Sequence, residues 1–466
     1  MNMKLYPIVM KAIRTLFFLI VLLMAVDATA QINMWRDLYK VKKKDTLYGI
    51  AQQYGLTVDE LKEANPEMAA EGFVLRKGDT VFIPYAKSET ADGKPAVAKP
   101  SNTARLTSQP ADDVRKRPIR VGVLLPLHNV DGDGRRMVEY YRGLLLACDS
   151  LKREGISTEM HAWNVPADAD ISQFLNDDVA RCDLLFGPLY TTQVKPMADF
   201  CRAHNMRMVI PFSIKGDDVY NYEQIFQVYQ SQAEIDSSAV DAFMERFPDA
   251  HPIIVDCGDA TSGKGHFTRL LRDRLEAKGI SYNLTSLQSS DDDFAKAFDP
   301  TLPNVVVLNS GSQQAINAAF TALNGLTAQN SDYQVSMFGY KEWLTYFRTN
   351  RANFYKYDVY VPTPFYYNPS ISRTTKLEQT YKSWFGQPMQ HVMPKFALTG
   401  VDHGMFFLRG LHLYGNEFVG TKAQNATHHV QTPLRFRRQG SGGYKNDAFM
   451  LIHYTQTGKI QAINYY

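Results

Sequence analysis

Between Ala86 and Arg117 the chain reads AKSETADGKPAVAKPSNTARLTSQPADDVRKR, rich in proline, serine, alanine and charge and without apolar periodicity. Such a stretch buries too little apolar surface to offset the entropy of ordering it. It reads as a disordered linker over residues 86–117, with a root-mean-square reach of about 30 Å. Whatever folds before it and whatever folds after it must therefore do so separately.

Ahead of the linker, Lys4, Lys11 and Arg14 precede the apolar run Leu16 to Val26 and then Ala28-Thr29-Ala30. Basic, apolar and small-residue regions in that order make residues 1–30 a signal peptide, cut after Ala30. The run is short for a membrane span, although an uncleaved anchor stays open, and no cysteine near the cut offers a lipid anchor. The mature protein is expected in the periplasm or cell envelope. Export permits disulfides, but Cys148, Cys182, Cys201 and Cys257 are few for 466 residues and fit no zinc spacing. Buried free thiols are favoured over a bridge from Cys182 to Cys201 or Cys148. A formal charge of +3, with no nucleic-acid motif, argues against a nucleic-acid partner.

In residues 39–84, Leu47, Ile50, Ala51 and Tyr54 recur at helical spacing behind Asp45 and Thr46, whose side chains can cap the first turn. A second helix is expected from Val58, with Thr57 as cap, Glu60 three residues on and Asn65-Pro66 as its end. Short strands around Tyr39 to Lys42 and Thr80 to Ile83 close the unit. Tyr39-Lys-Val41, Asp45-Thr-Leu47, Ile50-Ala51, Asn65-Pro66 and Lys77-Gly-Asp-Thr-Val-Phe-Ile-Pro84 together resemble the LysM family, a βααβ module that binds peptidoglycan or chitin. The resemblance implies a LysM domain over residues 36–85 and a partner in the N-acetylglucosamine-containing glycan of peptidoglycan. It places glycan contacts at Asp45, Thr46, Leu47, Asn65 and Pro66. Lys44 stands where the family usually has glycine, in a loop that would face the sugar.

From residue 118 on, apolar strand-like runs alternate with helical patterns, beginning with Ile119 to Leu127 and the helix Met137 to Arg153. That alternation predicts parallel sheets with right-handed crossovers, and its second start near Ser231 predicts two lobes. The ordered landmarks Leu184-Leu-Phe-Gly-Pro188, Val209-Ile-Pro-Phe-Ser213, Gly263-Lys-Gly265 and Gly400-Val-Asp402 resemble the type I periplasmic binding proteins. The fold class expected for the whole is α/β: a small βααβ LysM domain, then a bilobed body with two doubly wound parallel sheets. By that resemblance the first lobe takes residues 118–229 and 358–415, and the second takes 230–357 and 416–466. The chain would cross between lobes near Tyr229, near Tyr357 and after Gly415. A small ligand would sit in the cleft against Thr191 and Ser213, with Tyr229 and Tyr340 as aromatic walls.

Other motifs read as structure. Asp131-Gly-Asp-Gly134 lacks the later ligands of a calcium loop and reads as a mobile turn, and Asp291-Asp-Asp293 as a solvated loop or helix start. His428-His429 lacks a carboxylate partner, and no nucleophile stands with a base. No catalytic residue, metal or cofactor is therefore expected. The leading reading is a non-catalytic envelope protein that binds peptidoglycan and, through its body, a small molecule or an envelope protein. The alternative is a solute-binding protein for amino acid-type transport, anchored to the wall; a wall hydrolase ranks third.

Overall fold

The computed structural model describes residues 35–43, 45–54, 56–65, 68, 73, 75–84, 113–212 and 216–465. Residues 1–30, expected as a signal peptide, residues 86–112 of the expected linker, Lys44, Pro66 and Ser213 lie outside the described residues. The chain divides between Glu89 and Thr90 into two units.

The small unit runs β1 (Trp35–Lys40), α1 (Leu47–Gln53), α2 (Val58–Glu63) and β2 (Thr80–Pro84). β1 starts earlier than Tyr39 and pairs antiparallel with β2, Lys40 facing Thr80. Thr46 caps α1 by accepting the Gly49 N–H at 3.0 Å, and Thr57 with Glu60 forms a capping box on α2. The apolar stripes so aligned bury Ile50, Ala51 and Leu61 against Val81 and Ile83.

In the large unit the first lobe contributes β3 (Ile119–Leu125), α3 (Gly132–Arg153), β4 (Thr158–Asn164), β5 (Leu184–Phe186), α4 (Val194–Ala203), β6 (Arg207–Ile210) and β7 (Ile225–Gln227). The second lobe follows with α5 (Gln232–Arg246), β8 (His251–Asp256), α6 (Gly265–Ala277), β9 (Asn283–Ser286), β10 (Asn304–Leu308), α7 (Gln313–Gln329), β11 (Val335–Phe338), α8 (Phe347–Lys356) and β12 (Val359–Thr363). The chain returns to the first lobe with α9 (Ser372–Phe385), α10 (Phe396–Tyr414), β13 (Phe436–Arg438) and β14 (Tyr444–Asn446), then closes the second with β15 (Phe449–Tyr454) and β16 (Ile460–Tyr465). The two seven-stranded sheets have the orders β13-β14-β7-β6-β5-β3-β4 and β16-β15-β12-β11-β10-β8-β9. Both are mostly parallel; β13, β15 and β16 run against their neighbours.

Two of the three crossings differ from those expected. The first lies after Val228, but the second follows Thr363 rather than Tyr357, because Val359–Thr363 pairs with β11 and β15 inside the second sheet. The third falls between Asn446 and Phe449 rather than after Gly415, because β14 pairs with β7 and so keeps residues 416–446 in the first lobe. The folded body also begins earlier than residue 118: Val114 is buried in a turn, Val114–Lys116, within the stretch expected as linker. Asp131-Gly-Asp-Gly134 is not a loose turn, since Asp131 caps α3 by accepting the Gly134 N–H at 2.7 Å. Asp291 to Asp293 form the first turn of a short helix capped by Ser290. All four cysteines are unbridged.

Within the first lobe, α3 and α10 pack at the distance of bare backbones. A Cβ on Gly143 would stand 2.0 Å from the Ala397 carbonyl oxygen, and one on Gly400 2.2 Å from that of Tyr140. This contact fixes where the inner face of α10 meets the cleft.

Candidate functional site

Two surfaces are candidates for binding. The first surrounds the start of α1. Asp45 accepts from the Lys42 N–H at 2.6 Å and the Tyr39 hydroxyl at 2.8 Å, contacts that hold its carboxyl below the usual carboxylate range. Thr46 is exposed at the helix cap, Leu47 is half-buried beside it, and the Tyr48 ring stands 63% exposed one residue on. Asn65 is placed differently from the surface position expected of a glycan contact. It is fully buried; its Nδ2 donates to the carbonyls of Leu61 and Phe82, and its Oδ1 accepts the Phe82 N–H, each at 2.7 Å. Those bonds tie the end of α2 to β2, a structural task that uses three of the four bonds an amide can make.

The second surface is a cavity of about 560 Å³ between the lobes of the large unit. Its place follows from the topology: loops after β5 and β6 bring Leu189, Tyr190, Pro211 and Phe212 to the carboxyl ends of parallel strands. Tyr229 and Gln230 at the first crossing, Pro364 and Phe365 at the second, and Asn446 before the third complete the rim. The Gln230 amide donates to the Ala448 carbonyl at 2.6 Å, so the first and third crossings are tied together. Tyr229 is 41% exposed at the cavity wall. Thr191 is exposed and lies just past the lining, which ends at Tyr190. Tyr340, expected as a wall, lies instead in the second-lobe core, edge-on to Trp343 and Phe267 and donating to the Leu308 carbonyl. Its neighbour Lys341 faces the cavity.

The lining is mostly apolar, with few charges. Asp133 pairs with Arg136 and accepts from the Tyr190 hydroxyl at 3.3 Å, while Arg136 also lies over the Phe396 ring. Lys341 is exposed and has no ion pair among the described residues. On α10, Asp402 accepts the N–H groups of Val430, Gln431 and Thr432 at 2.6 to 2.8 Å and so holds Thr432 at the wall. Next to it His403 is wholly buried, with Nδ1 2.9 Å from the Tyr140 hydroxyl. No group of three metal-ligating side chains occurs among the described residues.

Burial gives these groups a pH signature. It pushes His403 down to about 3 and His429 to about 4, whereas an unfolded imidazole protonates near pH 6.5. Unfolding therefore takes up protons as the pH drops from 6.5 toward 4, and each buried imidazole makes the fold less stable over that window. Asp402, pushed up to about 6 by the same burial, acts oppositely, since only its folded form is protonated between pH 6 and about 4. With two imidazoles against one carboxyl, the urea midpoint of the large unit should be lower at pH 4.5 than at pH 7, and His429→Asn should flatten the slope. A higher midpoint at pH 4.5 would contradict the assignment.

Residues 39–84 match the family model of the LysM domain. They form a LysM domain. The LysM domain occupies a small part of the chain, and for the rest the comparison lies with solved structures. A putative branched-chain amino acid ABC transporter protein from Rhodospirillum rubrum is 15% identical, covers 74% of this chain and all of its own, and superposes with a TM-score of 0.51. An ABC transporter substrate-binding protein from Desulfitobacterium hafniense, solved with Leu, is 16% identical over 74% of this chain and all of its own, with a TM-score of 0.39. The Rhodospirillum likeness establishes the fold of the body: a bilobed type I periplasmic-binding-protein fold behind the LysM domain. No curated protein matches the chain. No helix among the described residues is long and apolar enough to cross a membrane.

Sequence reasoning missed Arg136, Phe212, Lys341, Phe365, Phe396 and His403 as cavity residues. For His403 a signal existed: it follows the Gly400-Val-Asp402 landmark directly, inside an apolar helix where a histidine must find a buried partner. For Phe365 and Phe396 none did, since an aromatic directly after or close behind a proline reads equally well as core.

Proposed function

We propose that this chain is a non-catalytic protein of the bacterial envelope, exported by the signal peptide in residues 1–30, that grips peptidoglycan through its LysM domain and takes a second ligand in the cleft of its body. The observation that carries the second half is the cavity itself: about 560 Å³, walled by aromatic and aliphatic side chains with a few fixed polar groups, at the carboxyl ends of parallel strands. Those are the attributes of a small-molecule site. The glycan face we propose is Asp45, Thr46 and Leu47, with Pro66 kept from the sequence resemblance alone; Asn65 serves it by holding the domain together.

A transport role resembling that of the Rhodospirillum protein is the second reading, favoured by the shared fold. Against an α-amino acid as ligand stands the charge inventory of the described lining. Its one acid, Asp133, is engaged by Arg136, so a ligand ammonium would lack a free counter-charge. A ligand without a free ammonium fits better.

Full-length protein should sediment with insoluble peptidoglycan, and Asp45→Ala combined with Leu47→Ala should weaken retention about tenfold without altering the thermal unfolding of the body. Native mass spectrometry of the purified chain should reveal a retained small molecule, and zymography on wall material should give no cleared band. Failure to sediment would sink the glycan half; an amino acid carried with its ammonium would favour the transport reading.

A further inference from the structure

Tyr140 is completely buried, packed edge-on against Phe186, Phe212 and the His403 ring. Its hydroxyl has one hydrogen-bond partner among the described residues, the Nδ1 of His403 at 2.9 Å. A buried hydroxyl that fails to donate forfeits about 1–3 kcal/mol, so the proton between these atoms belongs to the tyrosine. Nδ1 is then the acceptor, and the ring hydrogen of the neutral imidazole sits on Nε2. That Nε2 is buried and has no partner among the described residues. Among the described residues lining the cavity, no other side chain carries a wholly buried, unpartnered polar atom. Natural interiors rarely leave such an atom unmet, and here it belongs to a residue of the ligand cavity.

We propose that the Nε2–H of His403, oriented by Tyr140, is the polar anchor of the cleft and selects ligands that carry an uncharged oxygen acceptor, such as a carbonyl, ether or hydroxyl, on an apolar body. The inference rests on the cleft being a ligand site and adds which chemistry it takes. The apolar body follows from Met137, Phe212, Phe365 and Phe396 in the walls. The acceptor at His403 is uncharged because the imidazole is neutral, Arg136 is already compensated by Asp133, and Lys341, the unpaired cation among the described lining residues, is exposed to water. A carboxylate pressed against His403 would meet a neutral donor in an apolar wall, with the exposed Lys341 as the one unpaired cation among the described lining residues, and burying a charge so weakly compensated is costly.

The test uses the full-length chain and three probes of similar size: acetophenone, its planar hydrocarbon counterpart α-methylstyrene, and benzoate. Ligand-observed NMR titration should show acetophenone binding about tenfold more tightly than either of the others, the magnitude of one buried hydrogen bond. His403→Phe should abolish the preference while changing α-methylstyrene affinity less than twofold. Tyr140→Phe, which frees the tautomer, should reduce the preference and serves if His403→Phe does not fold. Independently of any probe, long-range proton–nitrogen spectra of histidine-labelled protein should show His403 protonated at Nε2 and bare at Nδ1. Equal affinities for acetophenone and α-methylstyrene, or a proton on Nδ1, would overturn the anchor and leave the cleft reading standing; no binding by any probe would overturn both.

Discussion

Asn65→Ala should unfold the LysM domain of the full-length chain and abolish its retention on peptidoglycan. The substitution removes the acceptor of the Phe82 N–H and the donor to the carbonyls of Phe82 and Leu61 in one step. Each buried backbone group so stranded costs about 1–3 kcal/mol, and a domain this small has only a few kcal/mol in reserve. The asparagine itself is fully buried, so a ligand-contact role would give a different outcome: lost retention with an intact fold. Amide exchange separates the two. Loss of protection at Val81 and Ile83 supports the structural role, and unchanged protection there would defeat it. Asn65→Asp, which keeps an acceptor but loses the donor, should fall between the wild type and Asn65→Ala.

The second large effect is expected at Gly400. Its replacement by alanine puts a methyl group 2.2 Å from the Tyr140 carbonyl oxygen and within 3.0 Å of the Gly143 Cα, so α3 and α10 must separate. Neither obstacle is a side chain that could swing aside, because both are backbone. Overpacking of this kind costs about 3 kcal/mol, equivalent to a fall of roughly 4 °C in the melting temperature of the body. The separation would also move Thr399 and His403, which flank Gly400 on α10 and line the cavity, so probe binding should weaken even where the protein stays folded. Gly325→Ala is the control. That glycine lies within α7, where a Cβ would meet nothing within 4 Å, and alanine there should be neutral or stabilising by up to about 1 kcal/mol. A Gly400→Ala melting temperature equal to that of Gly325→Ala would show that the helices can yield.

Much of this architecture could be read along the chain. Thr57 and Glu60 stand three residues apart before an apolar stripe, and the capping box they announce is present. The run from Ile119 is apolar on both faces, as a strand covered on both sides must be, and it is an inner strand of its sheet, paired with β5 on one side and β4 on the other. These features depend on neighbours within a few residues, so periodicity and cap chemistry determine them before any long-range contact forms. Tertiary structure alone decided which lobe each late strand joins. Val359–Thr363 and Tyr444–Asn446 would be equally good strands in either sheet, and their membership rests on pairing with β11 and β15 in one case and with β7 and β13 in the other. Tertiary structure alone also turned Asn65 inward, buried Tyr340, and brought Asp133, Phe212, Phe365 and His403 around one cavity. A side chain's own chemistry says whether it seeks a partner, but residues hundreds of positions apart become partners only when the crossings between lobes bring their backbones together.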